Sequence, residues 1–131
     1  MKELKNIIKW VDALESGKYK QGKNKLGDHK SGFCCLGVGC KVLKIDYDPR
    51  GSLSESFAYS VGLLKHDGYF SQNSLPYYRN TFFGKTALTT INDDTKAGFK
   101  RIAKLIKNHP DWLFEEEVAK AVKEYYKINK K

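Results

Sequence analysis

GFCCLGVGCKVLKI, residues 32–45, is the stretch on which the fold turns. It holds all three cysteines of the chain among small and apolar residues. Cys34, Cys35 and Cys40 give the spacing C-C-x4-C. Structural zinc sites present C-x2-C-type pairs with a second pair of ligands. His29, His66 and His109 are scattered and supply no such pair. Adjacent cysteines bridge each other only under strain, and an odd number of cysteines does not make a disulfide framework. From Phe33 to Ile45 the segment has helical length, with Cys35, Val38 and Val42 on one face. Free cysteine packs as a small hydrophobe. The stretch therefore reads as core, with no metal. Gly37 and Gly39 weaken a helix by about 1 kcal/mol each relative to alanine, which fits a place where another backbone packs closely against them.

On the N-terminal side, Leu4, Ile7, Ile8, Val11 and Leu14 recur at helical spacing, and Ser16-Gly17 stops the pattern. Lys2 to Glu15 reads as an amphipathic helix. On the C-terminal side, residues 46–86 are irregular and aromatic, a loop-rich middle with short strands and a helix near Glu55 to Lys65. Asp94 or Thr95 is a candidate cap for a helix whose buried stripe is Phe99, Ile102, Ala103 and Ile106 and which ends at His109-Pro110. Asp111 is a candidate cap for a last helix with Leu113 or Phe114, Val118, Ala121, Val122 and Tyr125 inward. The expected architecture is α+β, one small domain over residues 1–131, mainly helical with a short β-hairpin or small sheet. Residues 112–131 form a C-terminal helix extension.

Between the first helix and the cysteines lies KYKQGKNKLGDHKSG, residues 18–32, with five lysines against the single acid Asp28. In an extended strand Lys18 and Lys20 share one face, and Tyr19 and Gln21 the other. Gly22-Lys23-Asn24 has the chemistry of a hairpin turn or ordered loop. Lysines and backbone N–H groups neutralise phosphate, a tyrosine face stacks on a base, and glutamine both donates and accepts. Lys18, Tyr19, Lys20, Gln21, Lys23 and Lys25 are the candidate ligand residues. The competing reading is a solvated lysine hairpin whose Tyr19 packs down and whose Gln21 bonds locally. Tyr77, Tyr78 and Arg79 make a second aromatic-basic cluster, in which at least one tyrosine is expected in the core.

The whole chain shares the charge bias, with 24 basic and 15 acidic residues and a net charge of +9. That excess favours anionic partners. Arg50, Arg79 and Arg101 are the only arginines, which disfavours base-edge readout in duplex DNA. No stretch reaches the about 18 unbroken apolar residues of a membrane span. MKELKNIIKWVDALESG, residues 1–17, lacks the apolar run and cleavage site of a signal peptide. A cytoplasmic protein without a membrane partner is expected. The sequence has no phosphate loop, no H-E-x-x-H and no G-x-S-x-G. Asp93-Asp94, beside Asn92, is the one acidic pair near the candidate site, with the chemistry of a base or metal ligand; the commoner role of such a pair is a helix cap. No cofactor and no catalytic residue is expected.

ALESGKYKQG (13–22), FCCLGVGC (33–40), Leu75-Pro76, LTTINDD (88–94) and FKRIAKLI (99–106) together resemble a widespread family of small proteins encoded by tailed bacteriophages and prophages. The family's pattern runs L-x-S-G-x-Y-x-Q, a loop, C-C-L-G-V-L-C, a variable middle, L-x-x-x-N-D and a closing F-x-x-I-A-x-x-I helix. The resemblance covers the first 45 residues and residues 86–107. Gly39 stands where the family has leucine, which would loosen that helix face, and the helix after Trp112 looks like an extension. The resemblance implies a phage origin and brings no assigned activity.

Positive charge, absent enzyme motifs and the implied origin lead to one expectation. It is a non-enzymatic phage accessory protein, counter-defence in role, that binds and sequesters an anionic nucleotide such as a cyclic nucleotide immune signal in the host cytoplasm. Phosphates are expected against Lys18, Lys20, Lys23 and Lys25 and a base against Tyr19, with Tyr78, Arg79, Asn92 and Asp93 completing the candidate set. A homo-oligomer would help by building pockets between subunits. The alternatives are a nucleic-acid-binding phage protein and an inhibitor docking on an acidic host protein, with hydrolysis through Asp93 or Asp94 behind them.

Overall fold

The computed structural model describes residues 1–23, 25–51, 54–65, 68, 87–88, 92 and 98–128. Among them are six helices and one small antiparallel hairpin, the α+β, mainly helical architecture expected from the sequence. In chain order these are α1 (Lys2–Glu15), β1 (Gly27–Asp28), β2 (Gly32–Phe33), α2 (Cys35–Val42) and α3 (Glu55–Val61), then α4 (Phe99–Asn108), α5 (Pro110–Leu113) and α6 (Glu116–Ile128).

The cysteine stretch is the centre of the molecule. Cys35 to Cys40 are all buried, as suits a helix apolar on every side. The three cysteines are buried and none is in a disulfide. Cys34 is the N-cap, and its Sγ accepts the Gly37 N–H at 3.4 Å. Burial pushes the Cys40 thiol above its ordinary value, which makes it a poor nucleophile. Backbone packs against Gly37 as expected, but at Gly39 the close neighbour is a side chain. A Cβ on Gly37 would lie 1.9 Å from the Leu26 carbonyl oxygen, and one on Gly39 would lie 2.1 Å from the Phe57 ring. The face at Gly39 is thus filled by Phe57 and is not loosened.

Helix α1 lies across α2, α3, α4 and α6. Its inward residues are Ile7, Trp10, Val11, Ala13 and Leu14; Leu4 and Ile8 are only half-buried. Trp10, unexposed, donates its Nε1–H to the Cys35 carbonyl at 2.8 Å and meets Phe57 edge-on at 4.8 Å. The helix stops where Ser16-Gly17 predicted, with Gly17 at φ +76°.

Three boundaries differ from the sequence reading. The hairpin turn falls at residues 29–31, where Asp28 Oδ1 accepts from the Lys30 and Ser31 N–H groups and the Ser31 hydroxyl. It does not fall at Gly22-Lys23, and Asn24 lies outside the described residues. Helix α4 is capped by Gly98, without a side-chain bond; Asp94 and Thr95 lie outside the described residues. Asp111 does not cap the last helix. It belongs to the short α5, which ends at extended Phe114. There the backbone turns aside to pair with the loop after α3: Leu64 N–H donates to Leu113, and Glu115 N–H to Gly62. Helix α6 begins only at Glu116, and its buried stripe is Val118, Ala119 and Val122.

His109 stacks on Trp112 at 3.9 Å and 10°. Burial holds its imidazole below the ordinary histidine range. As pH falls the unfolded chain takes up this proton first, so the stabilisation is complete above about pH 6.5 and is lost as pH falls below it. The urea midpoint is expected to drop between pH 7.5 and 5.5, and His109→Gln to flatten that drop. An unchanged slope in the variant would remove His109 from the account.

Candidate functional site

The lysine-rich segment is pinned beside β2 by backbone bonds. Phe33 N–H donates to the Lys20 carbonyl at 2.8 Å, and Gly22 N–H to the Phe33 carbonyl at 2.7 Å. Gln21 thereby pairs with Phe33 in a parallel bridge. This close approach requires glycine: Gly32 has φ +89°, and a Cβ there would lie 2.8 Å from the Gly22 nitrogen. The predicted alternation is present, with Lys18 and Lys20 exposed and Tyr19 and Gln21 half-buried.

Gln21 and Asn92 are brought together, as fasteners. Gln21 Nε2 donates to Asn92 Oδ1 at 2.9 Å, and Asn92 Nδ2 donates to the Gly22 carbonyl at 2.8 Å. Asn92 is fully buried. Its amide holds the segment in place. Gln21 likewise has its amide engaged. Tyr78, Arg79 and Asp93 lie outside the described residues, as do Tyr77, Leu75, Pro76 and most of the aromatic middle.

Tyr19 does more than pack down. Its ring meets buried Phe33 edge-on at 5.6 Å and 78°. His29, at the exposed hairpin turn, meets the same Phe33 edge-on at 5.1 Å and 88°. Tyr19 and His29 are consequently near-parallel, at 20°, with centroids 6.3 Å apart. The three rings form a cup, with Phe33 as floor and Tyr19 and His29 as walls. Lys18, Lys20, Lys23 and Lys30 are exposed on the same two segments, and Lys25 is half-buried. The one carboxylate, Asp28, is held below its ordinary range, first by the Ser31 N–H bond, so it stays anionic and engaged in the turn.

His29 was not legible as a site residue. It stands ten residues from Tyr19, and only the parallel register of Gln21 with Phe33 brings the two rings together. Behind the cup, Tyr47 Oη donates to the Gly27 carbonyl at 2.8 Å, and Gly27 N–H donates to Pro49 at 2.8 Å. The hairpin is therefore backed by residues 47–51 and forms a fixed floor. Among the described residues, no three His, Cys, Asp or Glu side chains gather in a way that would hold a metal ion. No described helix is long and apolar enough to cross a membrane.

Residues 1–59 match the model of a domain of unknown function, DUF8296. The matched part runs from α1 through the cup and the cysteine helix to the middle of α3. No curated protein and no solved structure matches the chain.

Proposed function

We propose that this is a non-enzymatic phage accessory protein that captures an anionic nucleotide, with the base at the Tyr19–His29 cup and the phosphates on the surrounding lysines. A cyclic nucleotide immune signal is the ligand class that suits a counter-defence role. The observation that carries the reading is the ring pair. Their centroids lie 6.3 Å apart at 20°, within the range of an offset-stacked pair, so a base would stack on this pair from outside, against the exposed His29. Stacking of this kind tolerates every base, and lysines add charge without fixing an orientation.

Thermal melts against linear and cyclic nucleotides, at low and high salt, test it. At about a hundred times its dissociation constant a ligand adds roughly 2.7 kcal/mol. Stabilisation by one nucleotide class that survives high salt, and that disappears when Tyr19→Ala is combined with Lys20→Ala, is the expected result. Stabilisation that persists in that double variant would move the ligand elsewhere. The absence of any shift would leave an acidic host protein as the partner.

A further inference from the structure

On another part of the surface, α1, α4 and α6 enclose a groove of about 620 Å³. Lys100, Lys104 and Lys107 line it from α4, and Lys123 and Lys127 from α6. Spacings of four and three residues put the α4 lysines in a row about 10.5 Å long, and the α6 pair spans about 6 Å. Asp12 and Glu15 of α1 are the carboxylates of the groove, and Glu15 is already ion-paired with Lys107. No carboxylate among the described residues pairs with Lys100, Lys104, Lys123 or Lys127, all of which are exposed.

Tyr125 and Tyr126 form the aromatic part of the wall. Both are half-buried, with their rings 4.9 Å apart and perpendicular. The Tyr126 hydroxyl is buried without a hydrogen-bond partner among the described residues. Burial holds its phenol above the ordinary range, so it remains a neutral donor.

We propose that this groove binds single-stranded nucleic acid without sequence preference, the phosphate chain following the two lysine rows and bases stacking at Tyr125. Cations spread in rows suit a chain of phosphates better than one compact anion, whose oxygens would need donors converging on a point. Lysine is a flexible point charge without the planar fork of arginine, so the rows answer to phosphate charge and not to sequence. A positive groove with aromatic faces is the usual means of holding single strands. None of these residues belongs to the Tyr19–His29 cup, so either proposal can fail without the other.

The test is fluorescence anisotropy of a labelled 15-nucleotide oligo(dT) titrated with the full chain at several salt concentrations. Each lysine–phosphate contact on a single strand contributes about −0.7 to the slope of log affinity against log salt. Lys104→Gln combined with Lys123→Gln should therefore weaken binding and flatten the slope by about 1.4. Tyr125→Leu, which preserves apolar packing, should weaken oligo(dT) but leave binding of inorganic polyphosphate unchanged. Tyr59→Ala, at an exposed tyrosine of α3 outside both sites, should change neither. Absence of oligo(dT) binding at low salt, or a slope unaltered by the lysine variant, would overturn the proposal. Equal affinity of wild type and Tyr125→Leu for oligo(dT) would overturn the single-strand assignment and leave a site for phosphate chains alone.

Discussion

Gly37→Ala is expected to destabilise the protein by about 3 kcal/mol or more, at the upper end of what overpacking costs. The added methyl would sit 1.9 Å from the Leu26 carbonyl oxygen. That oxygen cannot swing aside, because it accepts the Cys34 N–H at 3.1 Å on the residue that caps α2. Either the hairpin lifts from the helix or the cap breaks. Helix propensity alone predicts the opposite sign, a gain of about 1 kcal/mol for alanine. A urea melt therefore decides between them: a large fall in midpoint supports close packing of Leu26 on α2, and a rise would refute it. Gly39→Ala should cost less, since its nearest obstacle is the Phe57 ring and not backbone.

Trp10→Ala is expected to cost about 3–5 kcal/mol, a large share of the roughly 5–15 kcal/mol that holds a domain together. The indole is unexposed and bridges two elements, bonding the Cys35 carbonyl of α2 and meeting Phe57 of α3. Trp10→Phe keeps an aromatic contact but loses the Nε1–H bond, a net loss of about 1 kcal/mol beyond the lost volume. The order of urea midpoints should be wild type, then Trp10→Phe, then Trp10→Ala. Equal midpoints for wild type and Trp10→Phe would show that the bond contributes nothing.

The helices were legible in the sequence because their faces repeat every three to four residues. Phe99, Ile102, Ala103 and Ile106 are buried together as expected, and α1 ends at its serine-glycine stop. The cysteine stretch was legible as core because no second ligand pair accompanies it. Trp10 escaped the pattern, although it lies one turn from Ile7 and Leu14 and is the largest buried side chain of α1. What local pattern does not encode is pairing at a distance. The bridge between Gln21 and Phe33, the fastening of Gln21 by Asn92, and the break at Phe114 all depend on backbone partners far along the chain.

The candidate site shows the same division. Charge and alternation indicated the exposed lysines and the inward Tyr19, while His29 and the role of Asn92 needed the register. The α4–α6 groove was half visible. The spacing that buries one face of each helix also puts Lys100, Lys104 and Lys107, or Lys123 and Lys127, on the opposite face. That two such faces border one groove is a matter of helix packing.

The ring pair at Tyr19 and His29 carries the proposed function, and NMR of its ring protons tests it most directly. Titration of the full chain with the nucleotide that stabilises it should shift the Tyr19 and His29 resonances together and saturably, with the Phe33 ring following. A base lying against them perturbs all three. The same shifts should persist in the Lys104→Gln/Lys123→Gln variant. Saturable binding that leaves the Tyr19 and His29 rings unmoved would contradict the proposed site.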